Sequence, residues 1–206
     1  NHQWNEQFST ALNLSQISVR YDYTSIAYGV SDTSRYETKN QQISLQNQWN
    51  SRLGIWNFGA SHLHQTLDST VGFLAKSRNT DSAWMGYQYE QNRHHLQLNG
   101  RFDRLSDLNS KNFLTGAINY VYDITPAWRV LAGYSNGFAA PSFNQLYYPP
   151  YCYGGYCFDS SNPNLKTEKA NYAQLGVQWA QAHYGARVTY FDTRYRDKIA
   201  NDANYI

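Results

Sequence analysis

Nowhere in this sequence do apolar residues run on for the roughly 20 positions that a membrane-spanning helix needs. No helical anchor is therefore expected. An excess of one charge sign is missing too: 17 Lys and Arg stand against 15 Asp and Glu, for a net charge of +2, and no basic run is clustered. That balance argues against a nucleic-acid partner gripped by its phosphates. Leu, Ile and Val are sparse for a packed core, and the mean hydropathy of -0.70 is clearly polar. The chain opens on polar Asn1-His2-Gln3 instead of a leader, and Asn204-Tyr205-Ile206 reads as loop. The expectation is a piece of a longer protein.

What is abundant is aromatic and neutral-polar. Aromatic residues make up 17% of the chain, 19 of them Tyr, amid many Gln, Asn, Ser and Thr. A β-barrel with one face in lipid and the other in water needs that mixture. The order of the residues agrees. Leu96, Leu98, Gly100 and Phe102 alternate with Gln97, Asn99, Arg101 and Asp103. Ile17, Val19, Tyr21 and Tyr23 alternate with polar neighbours, as do Ile43, Leu45 and Trp49, and Ala173, Leu175, Val177 and Trp179. Period two is the mark of a strand with one wet face, although a soluble sandwich shows it as well.

The connections separate the two. Strands are predicted near 1–13, 16–29, 38–50, 54–66, 80–90, 94–105, 111–123, 127–139, 169–181 and 183–199. Short links fall around Ser15, Ser51-Arg52, Gln91-Asn92-Arg93, Thr125-Pro126 and Gln181-Ala182, whereas 30–37, 67–79, 106–110 and 140–168 are longer. Short turns at one end and long loops at the other are how bacterial outer-membrane barrels are built. Trp4, Trp49, Trp84, Trp128 and Trp179 fall towards strand ends, where aromatic girdles belong. The fold class is all-β: an antiparallel transmembrane β-barrel, of which about ten strands are present. An open sheet of that size would leave unpaired backbone in lipid, so the strands either close on themselves or belong to a larger barrel.

Two stretches favour the larger one. Gly137-Phe138-Ala139-Ala140-Pro141, running on to Leu146 and Tyr147, resembles the segment with which a strand of TonB-dependent receptors enters a long outer loop. Asn162-Pro163-Asn164-Leu165-Lys166-Thr167-Glu168 resembles the box that returns the chain to the next strand, with Thr167 in place of the usual Pro. The resemblance continues more weakly from about residue 16 to the end. It implies a barrel of about 22 strands, so that residues 1–206 are a partial transmembrane barrel without its plug domain and closing C-terminal strands. It also implies a bacterial outer membrane, a TonB partner contacted by a segment absent here, and active import of a large, scarce nutrient. The texture around Tyr28-Gly29 and Ser34-Arg35-Tyr36 is most similar to the cobalamin-transporter branch. A ferric-siderophore or haem receptor is the alternative, and a passive porin a more distant one. Haem is disfavoured because residues 141–162 contain no His.

Recognition is expected in the long loop. Tyr147, Tyr148, Tyr151, Tyr153, Tyr156 and Phe158 crowd together behind Pro149-Pro150. Rigid amphipathic rings suit a bulky planar ligand, and they equally suit packing the loop against its neighbours. Cys152 and Cys157 are the only cysteines, and the glycines between them permit a tight reversal. In an oxidising compartment a disulfide is favoured over a metal site, which would lack ligands. His62 and His64 share one strand face, lining the wet lumen or sharing a metal. Asp32, Asp68, Asp81, Asp107 and Asp159 are too dispersed to assign a calcium site; no cofactor is expected, with calcium left open for the complete protein. Ser61 and His62 are strand neighbours pointing to opposite faces, so they cannot pair as nucleophile and base. No enzyme is expected.

Overall fold

In a computed structural model the described residues are 1–27, 29–73, 76–153, 155–159 and 161–200. Tyr28 and the terminal Asn204-Tyr205-Ile206 lie outside them. A ten-stranded antiparallel sheet contains β1 (His2–Gln3), β2 (Phe8–Ala27), β3 (Val30–Ser51), β4 (Gly54–Ser69), β5 (Ser77–Gln91), β6 (His94–Leu105), β7 (Asn112–Asp123), β8 (Trp128–Ala139), β11 (Glu168–Gln181) and β12 (Tyr184–Arg196). Each strand lies beside its predecessor in that order. Between β8 and β11 the chain forms the helix α1 (Phe143–Tyr147) and a separate hairpin of β9 (Tyr151–Tyr153) and β10 (Tyr156–Phe158).

The registers carry the alternation across the sheet. Leu12, Leu45, Ala60, Ala83, Phe102 and Leu114 are successive cross-strand partners, so they form one apolar row on one face. One residue along, Asn13, Ser44, Ser61, Ser82 and Asp103 form a polar row on the other. Towards the short turns lies a ring-rich row, Phe8, Trp49, Trp56, Tyr87 and Leu98, on the apolar face. Among the described residues nothing covers that face: Leu12, Leu14, Leu45, Leu114 and Leu175 are all exposed. A sheet that is apolar outside and polar inside is stable only with lipid on the outer face.

Several expectations are corrected here. The turn predicted at Ser15 does not exist, because β2 runs unbroken from Phe8 to Ala27 and the first tight reversal is at residues 4–7. The loop predicted over 30–37 is strand, so β2 and β3 form a hairpin of 20 and 22 residues that outreaches its neighbours. Trp84 is no girdle residue. It lies mid-strand on the inner face, paired with Gly59, where a Cβ would meet its ring at 2.5 Å. His62 belongs to the outer face, in the row of Leu14 and Ile43, and not to the lumen. It pairs with Asp81 at 2.6 Å, and His64 with Asn79 at 2.5 Å.

Candidate functional site: the long loop and its base

The segment after β8 folds back over the inner face at the loop end of the sheet. Pro141 stops the strand, and Ser142 caps α1. Its hydroxyl accepts from the Gln145 amide, while the Gln145 side chain accepts from the Ser142 amide at 2.8 Å. This reciprocal box fixes a helix too short to hold itself. Leu146 is completely buried among Leu105, Leu108 and Phe113, with Phe138, Ala140, Tyr147 and Leu165 around them. Phe113 and Phe138 stack at 4.2 Å between centroids.

The two sequence boxes meet in this cluster. The Asn162 amide donates to the Gln145 carbonyl at 2.8 Å, and the Asn162 side chain accepts from the Asn164 amide at 2.9 Å. Leu165 then drops against the cluster, and Glu168 begins β11 with its carboxylate accepting from the Ile199 amide at 2.5 Å. Gly137 is paired with Ala170 across β8 and β11, and a Cβ there would meet nothing. Pro163 sits in the turn between Asn162 and Asn164. The motif residues thus build the base from which the loop springs.

Two charged residues, Arg78 and Asp107, complete that base. Arg78 meets Asp107 at 2.7 Å with side chains only 9% and 7% exposed. The guanidinium also donates to the Pro141 carbonyl at 2.9 Å and lies 5.2 Å over the Phe143 ring. The second Asp107 oxygen, Oδ2, is buried with no hydrogen-bond partner, so the carboxylate depends on this one arginine. Tyr147 closes the group, its hydroxyl donating to the Asp107 carbonyl at 2.7 Å. Burial, and then the negative charge of Asp107, push the Tyr147 phenol above its usual range. Sequence reading missed Arg78. The available signal was an arginine opening a strand on the inner face, opposite the shortest of the long loops.

The aromatic residues of the loop separate into two groups. Tyr147 and Tyr148 turn to the base, Tyr148 edge-on to Phe73 at 5.5 Å and Phe73 edge-on to Tyr36 at 6.2 Å. Tyr156 stands in solvent at the tip, 75% exposed. The side chains of Tyr151, Tyr153 and Phe158 lie outside the described residues. Cys152 and Cys157 face each other in the β9–β10 register and are joined as a disulfide, with Gly155 at φ +84° turning the hairpin between them. Asp32, Asp68, Asp81 and Asp107 sit on separate strands or loops, and among the described residues no three His, Cys, Asp or Glu form a metal-holding group.

The family model for the TonB dependent receptor-like β-barrel matches residues 1–206. The chain belongs to the TonB-dependent receptor family. It is a stretch of that family's barrel, and its place is the bacterial outer membrane. The iron-regulated outer membrane virulence protein of Vibrio cholerae serotype O1 is 26% identical over 155 residues, which is 71% of this chain and 23% of that protein. The vitamin B12 transporter BtuB of Photobacterium profundum is 26% identical over 150 residues, 72% of this chain and 23% of the relative. This stretch of receptor barrel therefore spans about a quarter of the length of the curated relatives it matches. Among solved structures, the ferric enterobactin receptor PfeA of Pseudomonas aeruginosa, in a G324V form, superposes with a TM-score of 0.78 at 16% identity, covering 94% of this chain and 33% of the receptor. The siderophore receptor PirA of Acinetobacter baumannii superposes with a TM-score of 0.69 at 17% identity, covering 95% and 33%. At such identities the likeness shows the receptor fold alone.

Proposed function

We propose that the complete protein is an active, TonB-dependent transporter that imports a large, scarce nutrient across the outer membrane, with cobalamin the first candidate. The observation that carries this reading is the loop base. Both family boxes close into one packed platform, and the platform holds a disulfide-tipped, tyrosine-rich loop at the end of the barrel where the connections are long. A passive pore has no need of such a mounting. In this reading residues 1–206 supply about ten strands of a wall of about 22. The plug and the TonB-contacting segment belong to the rest of the protein. Tyr156, with Tyr151, Tyr153 and Phe158, meets the ligand, while Tyr147 and Tyr148 hold the loop in place.

A ferric siderophore is the second reading, because the relative named for iron regulation is as similar, at 26% identity, as the one named for vitamin B12. Haem is less favoured, since residues 141–162 offer no His to ligate its iron. The test is equilibrium binding of the complete, detergent-purified protein to cyanocobalamin, haem and a panel of ferric siderophores. Tight binding of cyanocobalamin alone supports the first reading, and binding of an iron chelate alone moves the assignment to the second. Failure to bind any of them, joined to high ion conductance in planar bilayers, would overturn both in favour of an open pore.

A further inference from the structure

Beyond Ser15 the two faces of the β2–β3 hairpin exchange character. Below that level Phe8, Leu12, Leu14, Ile43, Leu45 and Trp49 make the outer face apolar. Above it the outer face becomes charged: Arg20 meets Asp22 at 3.2 Å, Arg35 meets Asp22 at 2.8 Å and Lys39 meets Glu37 at 3.2 Å. The apolar side chains move to the other side. Ile17, Val19, Tyr21 and Tyr23 are 57%, 57%, 60% and 52% exposed there. That side is the inner one, because Ile17, Asn40, Gln65 and Arg78 are successive register partners and Arg78 holds the Pro141 carbonyl and lies over the Phe143 ring of the loop base.

Lipid cannot explain these residues, since they face away from the membrane surface of the sheet. They are not isolated either. Tyr21 lies opposite Tyr36, and Tyr36, Phe73 and Tyr148 form an edge-to-face chain leading to the long loop. A contiguous exposed apolar surface of this kind marks a place where something binds. Its charge states what. Between Ile17 and Tyr23 on β2 and between Ser34 and Asn40 on β3, the described inner-face residues carry no formal charge. In the row of Ile17 the inner-face cation, Arg78, is buried against Asp107. A polyanion laid on this surface would be desolvated without a counter-charge, which is costly. A net-neutral body with rings and methyl groups would lose only water.

We infer that the inner face of the β2–β3 hairpin above Ser15 is a contact surface for the imported ligand, and that it selects an uncharged, bulky, ring-rich molecule over a polyanionic metal chelate. This rests on the transporter reading and narrows it.

The experiment uses the complete protein in detergent, with two probes: net-neutral cyanocobalamin and a trianionic ferric tris-catecholate. Tyr21 and Tyr23 are nitrated with tetranitromethane and the products read by mass spectrometry. Both tyrosines react in the ligand-free protein and are shielded by cyanocobalamin, and a Tyr21→Ser/Tyr23→Ser double variant binds cyanocobalamin about tenfold more weakly, as loss of aromatic contact area requires. Each side chain is more than half exposed, so the variant barrel still assembles. Shielding without ligand would mean that another part of the protein covers the face, and would overturn the inference. So would unchanged affinity in the variant, or binding of the trianion in place of cyanocobalamin. A protein that binds neither probe also overturns this inference. The transporter reading falls with it only if haem and the wider siderophore panel fail too and the protein conducts ions as an open pore. One that binds cyanocobalamin with both tyrosines unaffected loses only this inference.

Discussion

At the scale of single residues, the Arg78–Asp107 pair governs the most. Removing one member of a buried pair leaves the other charge uncompensated, at a cost of about 3–5 kcal/mol. Arg78→Met should therefore release the Pro141 carbonyl and speed amide hydrogen exchange through 141–147, while Arg78→Met with Asp107→Leu should recover most of the protection. Exchange rates equal to wild type in the single variant would show that the pair holds nothing. Tyr147 adds a pH dependence. Its phenol is raised above the ordinary tyrosine range by burial, so the folded loop prefers the protonated form. Its contribution is complete below the ordinary tyrosine range and is lost as pH rises through the higher folded value. Limited proteolysis of the 140–168 loop should accelerate at alkaline pH in the wild type, and Tyr147→Phe should flatten that rise. The sequence announced Phe138, Pro141 and Leu146 through their motif. It could not announce that Arg78 and Asp107, 29 positions apart, would meet, because that depends on how the fold brings the start of β5 beside the connection after β6.

Elements were legible where their alternation kept one phase. β6, β7, β8 and β11 are legible to within a few residues, since each keeps one alternation of apolar and polar residues through most of its length. β2 reads as two strands because its apolar residues change from even to odd positions near Ser15, and a phase change resembles a turn when only one strand is in view. The full length of β3 is hidden for the related reason that Ser31–Glu37, apart from Tyr36, is polar and reads as loop. α1 was invisible: five residues carry no periodicity, and the helix exists through its cap and through Leu146. Leu146→Ala should cost about 2–5 kcal/mol, observed as local loosening of 141–148 by hydrogen exchange with the barrel strands unaffected. Opening the Cys152–Cys157 link with Cys152→Ser/Cys157→Ser should fray only β9 and β10. A heat-modifiability gel that showed the barrel itself weakened would contradict this division between tip and base.

For the whole molecule, the deciding property is which medium each face meets. Neighbouring residues on β11 test it at equal depth. Leu175 lies on the apolar face and is 62% exposed, while Gln174 lies on the inner one. In the complete barrel folded into bilayers, Leu175→Arg should lower stability by about 2–4 kcal/mol if it lies near the midplane. Gln174→Arg should change it far less. Equal losses in urea titrations would mean that the faces have been assigned wrongly. The membrane barrel was legible in the sequence from its turn-and-loop asymmetry. Which way the protruding hairpin presents its rings was not, since that follows from registers that only paired strands define.

The parity change at Ser15 is also a waterline written into the chain. Deleting that one residue would carry Ile17, Val19, Tyr21 and Tyr23 onto the side of Leu12 and Leu14, roughly doubling the greasy height of β2. The float level of the barrel in its membrane is thus adjustable by single-residue insertions and deletions in one strand. Depth-dependent fluorescence quenching could follow such a shift directly. A lineage could raise or sink its outer rim in this way without rebuilding the wall beneath it.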